Sequence, residues 1–334
     1  MSSILSKTGF QPGGRPPAAV EVAPEGVLAA VRHGGPGPGQ EPIYAFQALP
    51  EGAVTPGIGE ANLGAPEAVA AAIRSTLGQL SPRTRSVTVV VPDTSVRVFV
   101  LDFDSLPSKA AEAFPVLRFR LRKMVPFDVE HAGLSYQVLV ENKDECKVLA
   151  AVMPGPVLAE YEGAVQAAGY EPGAVLPSSL SALEAVDPMQ AALIANLSSH
   201  ALTTCIANGQ DLLLYRTLDL PADPNLRLQE VQRGIAVASA YYEDKLGVSP
   251  QQLLYAGNFG TQFDGVKYSG VEAFALWLDD PELTVVDLAP RPETGALTAL
   301  GDASIAGVVG ALALRGAQAH HGRQALHGGQ AGAR

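Results

Sequence analysis

The chain has 334 residues, of which 47% are hydrophobic, and its formal net charge is −11. A chain of this length and apolar content can form two compact domains or one bilobed domain. The acidic balance opposes nonspecific nucleic-acid binding and favours a basic partner.

The cysteines and the apolar runs bear on the compartment. Cys146 and Cys205 lie far apart in the sequence and are typical of small core residues in a reducing compartment. Residues 1–14 lack the continuous apolar core of a signal peptide. No apolar run reaches the roughly 18 residues that a membrane-spanning helix needs. We therefore expect a cytoplasmic protein.

The first 95 residues have the patterning of an α/β layer. Residues 1–17 are rich in Ser, Gly and Pro and are predicted to be flexible. The pattern then predicts a β-hairpin at 18–22 and 26–31, a loop at 34–40 and a further strand at 44–46. A helix that begins at a proline follows at 66–80, and a buried strand follows at 86–91.

The next module is self-contained. Its elements are predicted as a strand at 96–103, a helix at 108–124, strands at 134–141 and 147–152, and a helix at 156–168. Pro115 conflicts with the first helix, because a proline in a helix interior costs on the order of 3 kcal/mol. Either that helix begins near Phe114 or it kinks there.

A meander opens the second half of the chain. A strand at 174–176 leads through Ser178 into a short helix, and Asp187-Pro188 marks a domain boundary. Apolar and β-branched runs then predict strands at 191–197, 201–206 and 212–217. Asn208-Gly209 is typical of a tight two-residue turn between the last two strands.

The remaining residues predict more helices and one strand. Residues 225–246 are amphipathic with helical periodicity, 252–255 read as a strand, and 271–278 read as a helix. A final helix at 303–315 is rich in small residues. From Gly316 onward the composition cannot bury a core, which predicts a disordered tail at 316–334.

The order of these elements and several short strings resemble the PilM family of type IV pilus assembly proteins, and more distantly the cytoplasmic part of the GspL secretion proteins. The resemblance runs from about Ala18 to Arg315. The matching strings are 89–93 (VVVPD), 124–127 (MVPF), 167–172 (AAGYEP), Asn208-Gly209 with Arg216, 240–242 (AYY) and 310–315 (GALALR).

The resemblance implies an α/β, bilobed actin-like (ribonuclease H-like) fold with an inserted α/β subdomain in the first lobe. The first lobe would comprise 18–186 and 298–315, with the inserted subdomain at about 96–168. The second lobe would comprise 187–297.

The resemblance also implies a nucleotide site between the lobes, where the family binds ATP through two hairpins. Glycines there let backbone amides reach phosphate, and an Asp in each hairpin helps hold the metal. In the first hairpin the family's Asp, Ile, Gly and Lys correspond to Glu21, Val22, Ala23 and Leu28. In the second hairpin the corresponding residues are Asn196, Leu197 and Ser198, and the adenosine-binding pair corresponds to Ala256-Gly257.

These replacements predict a degenerate pocket that involves Glu21, Ala23, Asn196, Ser198 and Gly257. The Lys and one Asp are lost, and each lost Gly adds a Cβ where phosphate should approach. We expect no bound cofactor or metal and no catalytic residues. The alternative is an active ATPase that binds ATP with Mg²⁺.

Two further sets of residues raise catalytic or metal-binding hypotheses. His200 follows Ser198 and Ser199, which suggests a nucleophile and base, but serines are also common in turns, which favours a structural role. The tail histidines could bind metal, but a flexible tail lacks the groups that orient imidazoles, so solvated residues are favoured. They are His320, His321 and His327.

A basic run on the first helix of the inserted module suggests a partner site. The run comprises Arg118, Arg120, Arg122 and Lys123. These residues would be spread around the helix, which favours a solvated face over a contact at the groove beside the first lobe, where Arg118, Arg122 and Lys123 are the candidate partner residues. By resemblance, the partner is the N-terminal cytoplasmic peptide of a PilN-like inner-membrane protein, bound as an extended segment. Such a protein would work with other pilus assembly proteins at the inner face of the membrane.

Overall fold

Two five-stranded sheets, one in each half of the chain, organise the computed structural model. The structure describes residues 15–33, 41–59, 61–143, 145–209, 211–257, 261–263, 266–268, 270–290 and 303–313. The strands are β1 (Ala18–Ala23), β2 (Gly26–Val31), β3 (Ile43–Ala48), β4 (Ser86–Val91), β5 (Arg97–Phe103), β6 (Gly133–Glu141), β7 (Cys146–Met153), β8 (Glu171–Pro177), β9 (Ala191–Leu197), β10 (Ala201–Asn208), β11 (Asp211–Asp219), β12 (Gln252–Tyr255), β13 (Thr261–Phe263), β14 (Val266–Tyr268) and β15 (Thr284–Asp287). The helices are α1 (Pro66–Leu80), α2 (Ala110–Leu121), α3 (Gly155–Ala167), α4 (Ser178–Ala182), α5 (Pro224–Leu246), α6 (Gly270–Leu278) and α7 (Ala306–Ala311).

The first sheet has the strand order β3-β2-β1-β4-β8. Strands β1 to β3 form an antiparallel meander, and β4 and β8 run parallel to β1. Successive side chains of a strand point to opposite faces. Val20 of β1 therefore packs with Ile73 of α1 on one face, whereas Ala19 packs with Val308 of α7 on the other.

The second sheet repeats this arrangement in the order β11-β10-β9-β12-β15. Strands β9 to β11 are antiparallel, and β12 and β15 run parallel to β9. One face packs on α5 and α6 through Ile235 and Phe274. From the other face, Ile194 and Cys205 join the apolar cluster of the first sheet, so the two lobes share a continuous core.

A third sheet, β5-β7-β6, is inserted between β4 and β8 and is antiparallel throughout. Leu117 and Leu121 of α2 are fully buried against Val148 of β7. Strand β5 also contacts β11, so the inserted sheet touches the second lobe. Helix α3, which we placed within the insert, packs on α1 and β8 of the first lobe. The lobe boundaries themselves remain predictions.

Several predicted boundaries are confirmed to the residue, as for α1, β4, β9 and β12. The proposed helix start near Phe114 was wrong, because α2 begins at Ala110 and continues through Pro115. The turn between β10 and β11 lies one residue later than predicted. Asn208 pairs with Asp211 at the end of β10, and Gly209 has a φ of 65°.

Helix α5 shows how local chemistry sets helix ends. The Asp223 side chain accepts hydrogen bonds from the backbone N–H groups of Asn225 and Leu226, at 2.9 and 3.0 Å. These are amides that a helix start leaves without partners. At the other end, Gly247 takes the left-handed conformation, with a φ of 71°, that typically terminates a helix.

Helix α7 is shorter than the predicted 303–315 and is held tightly against α4. A Cβ at Gly310 would overlap the carbonyl oxygen of Ser181, and the Ser181 hydroxyl donates to the carbonyl of Gly307 at 2.7 Å. Arg15 lies in the segment predicted to be flexible but donates to the Gly310 carbonyl at 3.0 Å and pairs with Glu184. These contacts connect the start and the end of the described chain.

Some predicted features lie outside the described residues. They are residues 1–14, the loop at 34–40, Leu314 with Arg315, and the tail at 316–334 with its three histidines. In the part of the chain that the structure describes, no helix combines the length and the apolar character that crossing a membrane requires.

We predict that Gly310→Ala destabilises the protein by about 1–3 kcal/mol, because the added methyl group forces α7 away from α4. Gly78→Ala is the matched control. Gly78 also lies in a helix, but a Cβ there has open space, so this substitution should stabilise by about 0.5–1 kcal/mol. Urea unfolding of both variants measures the difference, and equal effects would contradict the close packing.

Candidate functional site

The cleft between the lobes begins where two parallel strands of the first sheet end together. Val91 of β4 pairs with Pro177 of β8, so the residues that follow both strands emerge at the same edge. Those residues are Asp93 after one strand and Ser178-Ser179 after the other. They face β9 to β11 of the second lobe.

Asp93 is the centre of a hydrogen-bond network that joins the lobes. Its carboxylate accepts from the Ser179 backbone N–H and hydroxyl, at 2.9 and 2.5 Å. From the second lobe, the Tyr215 hydroxyl donates to Asp93 at 2.9 Å. The Asn196 amide donates to the Ser179 hydroxyl at 3.0 Å and to Asp93 at 3.4 Å. Burial raises the pKa of Asp93, although these hydrogen bonds oppose the shift.

Glu21, near the end of β1, is a second buried carboxyl group at this cleft. Its Oε1 accepts from the Ser178 hydroxyl at 2.7 Å, while its Oε2 is buried without a hydrogen-bond partner among the described residues. A Cβ at Gly307 of α7 would overlap this carboxyl group, so the helix lies directly against it. Burial raises the pKa of Glu21 to about 7, and the Ser178 hydrogen bond only partly opposes the shift.

The tips of the two hairpins also contact each other. The Ser199 hydroxyl of the second hairpin donates to Glu25 of the first at 2.9 Å and lies 2.7 Å from His200 Nδ1. With the Ser199 hydroxyl donating to Glu25, the contact with His200 Nδ1 is one in which the histidine donates to Ser199. The Ser198 hydroxyl accepts from the backbone N–H of Ala201 at 3.1 Å, which is turn chemistry.

These contacts leave little space at the interlobe cleft. The cavity there has a volume of about 40 Å³, whereas pockets for drug-sized ligands typically have about 300–1,000 Å³. Leu28, which corresponds to the family's Lys, is buried in the apolar cluster beneath α7 and offers no charge. The cavity that the two hairpins line is therefore much smaller than a typical ligand pocket.

Most of the predicted pocket residues come together at this cavity. Glu21, Ala23, Asn196 and Ser198 line it. Gly257 does not line it, because it packs against the Leu197 carbonyl and the Tyr255 side chain. Their role as a degenerate nucleotide pocket stays a prediction.

Sequence reasoning missed the roles of Asp93, Ser178, Ser179 and Tyr215. A signal was present for the first three, since two buried runs each end in Pro followed by polar residues, at 92–93 and 177–179. Carboxyl ends of adjacent parallel strands often carry functional groups. No comparable signal marks Tyr215, which lies within a meander strand.

A second and larger concavity lies between the inserted sheet and α3 of the first lobe. It has a volume of about 670 Å³. We call it the α2–α3 groove and define it by Phe114, Arg118, Glu130, His131, Ala132, Gly133, Leu134, Gly155, Pro156, Leu158 and Ala159.

Of the three predicted partner-binding residues, Arg118 lines the α2–α3 groove. Arg122 forms an ion pair with Glu130 at 2.5 Å, and Lys123 is exposed to solvent. Their binding role stays a prediction.

No family model and no curated protein sequence matches the chain. Among solved structures, a chain of the PilM-PilN type IV pilus biogenesis complex is similar, with a TM-score of 0.67 at 19% identity. The alignment covers 90% of this chain and 98% of that chain. The fold is actin-like.

Two further actin-like structures are similar at lower scores. The cytoplasmic domain of EpsL, an inner-membrane component of the type II secretion system of Vibrio cholerae, has a TM-score of 0.46 at 14% identity, over 85% of this chain and 92% of that chain. A protein from Bacteroides thetaiotaomicron with an actin-like ATPase fold and unknown function has a TM-score of 0.48 at 10% identity, over 88% and 94%. The predicted fold class and the resemblance to PilM in fold are confirmed.

We predict that Glu21→Gln stabilises the protein at neutral and higher pH. The pKa of this carboxyl group is about 7 in the folded chain and near 4.5 when unfolded, so folding favours the protonated form. Stability contributed by that form is complete below pH 4.5 and is lost as pH rises to about 7. The variant, which stays neutral, should therefore gain on the order of 3 kcal/mol over wild type at pH 8 but little at pH 4.5.

Urea unfolding at both pH values measures this gain, with the exposed Glu51→Gln as the control. Asp93 remains in the variant, so some pH dependence should persist. A gain of the same size at both pH values would show that the Glu21 carboxyl group is not protonated in the folded chain.

Proposed function

We propose that this protein is an actin-like scaffold of type IV pilus or related secretion assembly. In this proposal it binds the N-terminal cytoplasmic peptide of a PilN-like inner-membrane protein in the α2–α3 groove. The protein would then lie at the inner face of the membrane, held there by this partner and other assembly proteins.

The observation that carries the proposal is the contrast between the two concavities. The interlobe cavity has about 40 Å³ and is crossed by hydrogen bonds, whereas the α2–α3 groove has about 670 Å³. This difference in volume supports a ligand site beside the inserted sheet rather than between the hairpins. The similarity to a chain of the PilM-PilN complex supports the choice of partner.

The walls of the groove suit an extended peptide. Strand β6 lies at the edge of the inserted sheet and pairs with β7 only, within the described residues. Its first residues, Gly133 and Leu134, line the groove. An edge strand can accept a further strand through main-chain hydrogen bonds, while neighbouring apolar pockets select side chains. Phe114 and Leu134, both half-buried, provide such apolar surface.

Charge gives a second, weaker argument for the partner. The chain has a net charge of −11. Cytoplasmic segments next to membrane spans are enriched in Lys and Arg. Long-range attraction would therefore favour approach of such a segment, even though the groove itself contains Arg118.

We predict that Ala159→Trp abolishes or weakens peptide binding by at least about tenfold, because Ala159 is exposed on the groove wall and an indole would fill it. The matched control is Ala71→Trp on the exposed face of α1, outside the groove residues. Fluorescence anisotropy with the labelled N-terminal peptide of the neighbouring PilN-like protein measures the affinities. Unchanged binding by the groove variant would contradict the proposed site.

The competing function, an active ATPase, is tested separately. We propose that the interlobe site does not bind Mg-ATP, since Ala23 and Leu28 replace phosphate-binding groups and the hairpin tips contact each other. A ligand at a hundredfold excess over its Kd would stabilise the fold by about 2.7 kcal/mol. We expect no change in Tm with millimolar Mg-ATP, and a clear upward shift would favour the ATPase.

A further inference from the structure

Arg118 is the one groove residue with an unused strong donor among the described side chains. Its Nη2 donates to the Ala132 carbonyl at 3.3 Å, which fixes the guanidinium against the groove wall. Its Nη1 is buried and has no hydrogen-bond partner in the described part of the chain. A buried donor of a charged group is costly to leave unpaired, so this geometry favours a ligand that supplies an acceptor.

The neighbouring acidic groups are already paired. Glu130 lines the groove but forms its ion pair with Arg122 at 2.5 Å. Asp128 lies 2.5 Å from the ring of His131. Among the described residues, no carboxylate forms an ion pair with Arg118. Its positive charge is therefore not balanced by a partner within the groove.

The start of α3, which forms another wall of the groove, also provides positive potential. Helix α3 begins at Gly155, on that wall, and its N-cap residue Pro154 provides no side-chain hydrogen bond to the first amides. A Cβ at Gly155 would overlap the His131 carbonyl, so the helix start and the loop that precedes β6 lie in direct contact. The first turn of a helix favours negative charge.

We infer that the α2–α3 groove selects a peptide that carries an acidic side chain, whose carboxylate pairs with Arg118 Nη1 between apolar neighbours. A carboxylate satisfies both the free donor and the unbalanced charge, and guanidinium–carboxylate hydrogen bonds are among the strongest in proteins. Phe114 and Leu134 would contact the flanking apolar residues. The inference rests on the proposed function and specifies the sequence preference of that site.

The test is a double-mutant cycle between the groove and the peptide. The probe is the labelled N-terminal cytoplasmic peptide of the PilN-like protein from the same genome, used unchanged and with each acidic residue replaced singly by its amide. Binding is measured by anisotropy to wild type, to Arg118→Gln and to the control Arg120→Gln. Arg120 lies on the same helix but is exposed outside the groove.

We expect one acid-to-amide replacement to weaken binding to wild type and Arg120→Gln by about tenfold or more, and binding to Arg118→Gln by less than about twofold. Melting curves check that the Arg118→Gln variant folds. If it does not fold, Arg118→Lys takes its place, with a smaller expected difference because the charge remains.

Two results would overturn the inference while leaving the proposed function intact. One is a bound peptide whose acid-to-amide replacements have no effect that depends on residue 118. The other is a bound peptide that contains no acidic residue, which would assign Arg118 to a main-chain carbonyl or an amide. Absence of any peptide binding to wild type would instead overturn the proposed function, and this inference with it.

Discussion

The closed arrangement of the two lobes depends on the buried carboxylate of Asp93. A buried charge needs donors, and here the donors come from both lobes: Ser179 of the first, and Tyr215 and Asn196 of the second. If the lobes separated, Asp93 would lose its second-lobe donors. Glu21 lies at the same cleft and also has a raised pKa, but one of its oxygens has no hydrogen-bond partner among the described residues. The hydrogen bonds of Asp93 thus join the two lobes at this cleft.

The interlobe cleft is nearly filled, whereas the α2–α3 groove is open. Ile194 and Cys205 of the second lobe pack into the first lobe's core, and β5 of the inserted sheet contacts β11. The inserted sheet is therefore supported on two sides, and the groove between α2 and α3 is formed by packed elements rather than by a hinge. A groove with preformed walls would reduce the entropy lost on binding of the proposed peptide.

The sequence predicted local structure well and the site only in part. Helix α1 and strand β4 are confirmed to the residue because a proline start, apolar periodicity and a β-branched run all act within a few residues. Of the two alternatives for Pro115, a helix start near Phe114 was wrong, since α2 runs from Ala110 to Leu121 with Leu117 and Leu121 buried beyond the proline. Four of the five predicted pocket residues line one cavity, and Gly257 does not. However, the hydrogen-bond network at that cavity is centred on Asp93. The sequence pattern marked this residue only as the end of a strand.

Composition, periodicity and turn residues by themselves determined an α/β chain, its hairpins and its long amphipathic helix. These features depend on interactions between residues a few positions apart, which periodicity records directly. Only the tertiary structure decided that Tyr215 donates to Asp93 across 122 positions of sequence, and that Arg118 faces a groove while Arg122 pairs with Glu130. Such contacts depend on how sheets and helices pack, and side chains on the same helix differ in environment according to the face they occupy. The physical reason is that local sequence specifies an element, whereas a site requires the relative placement of several.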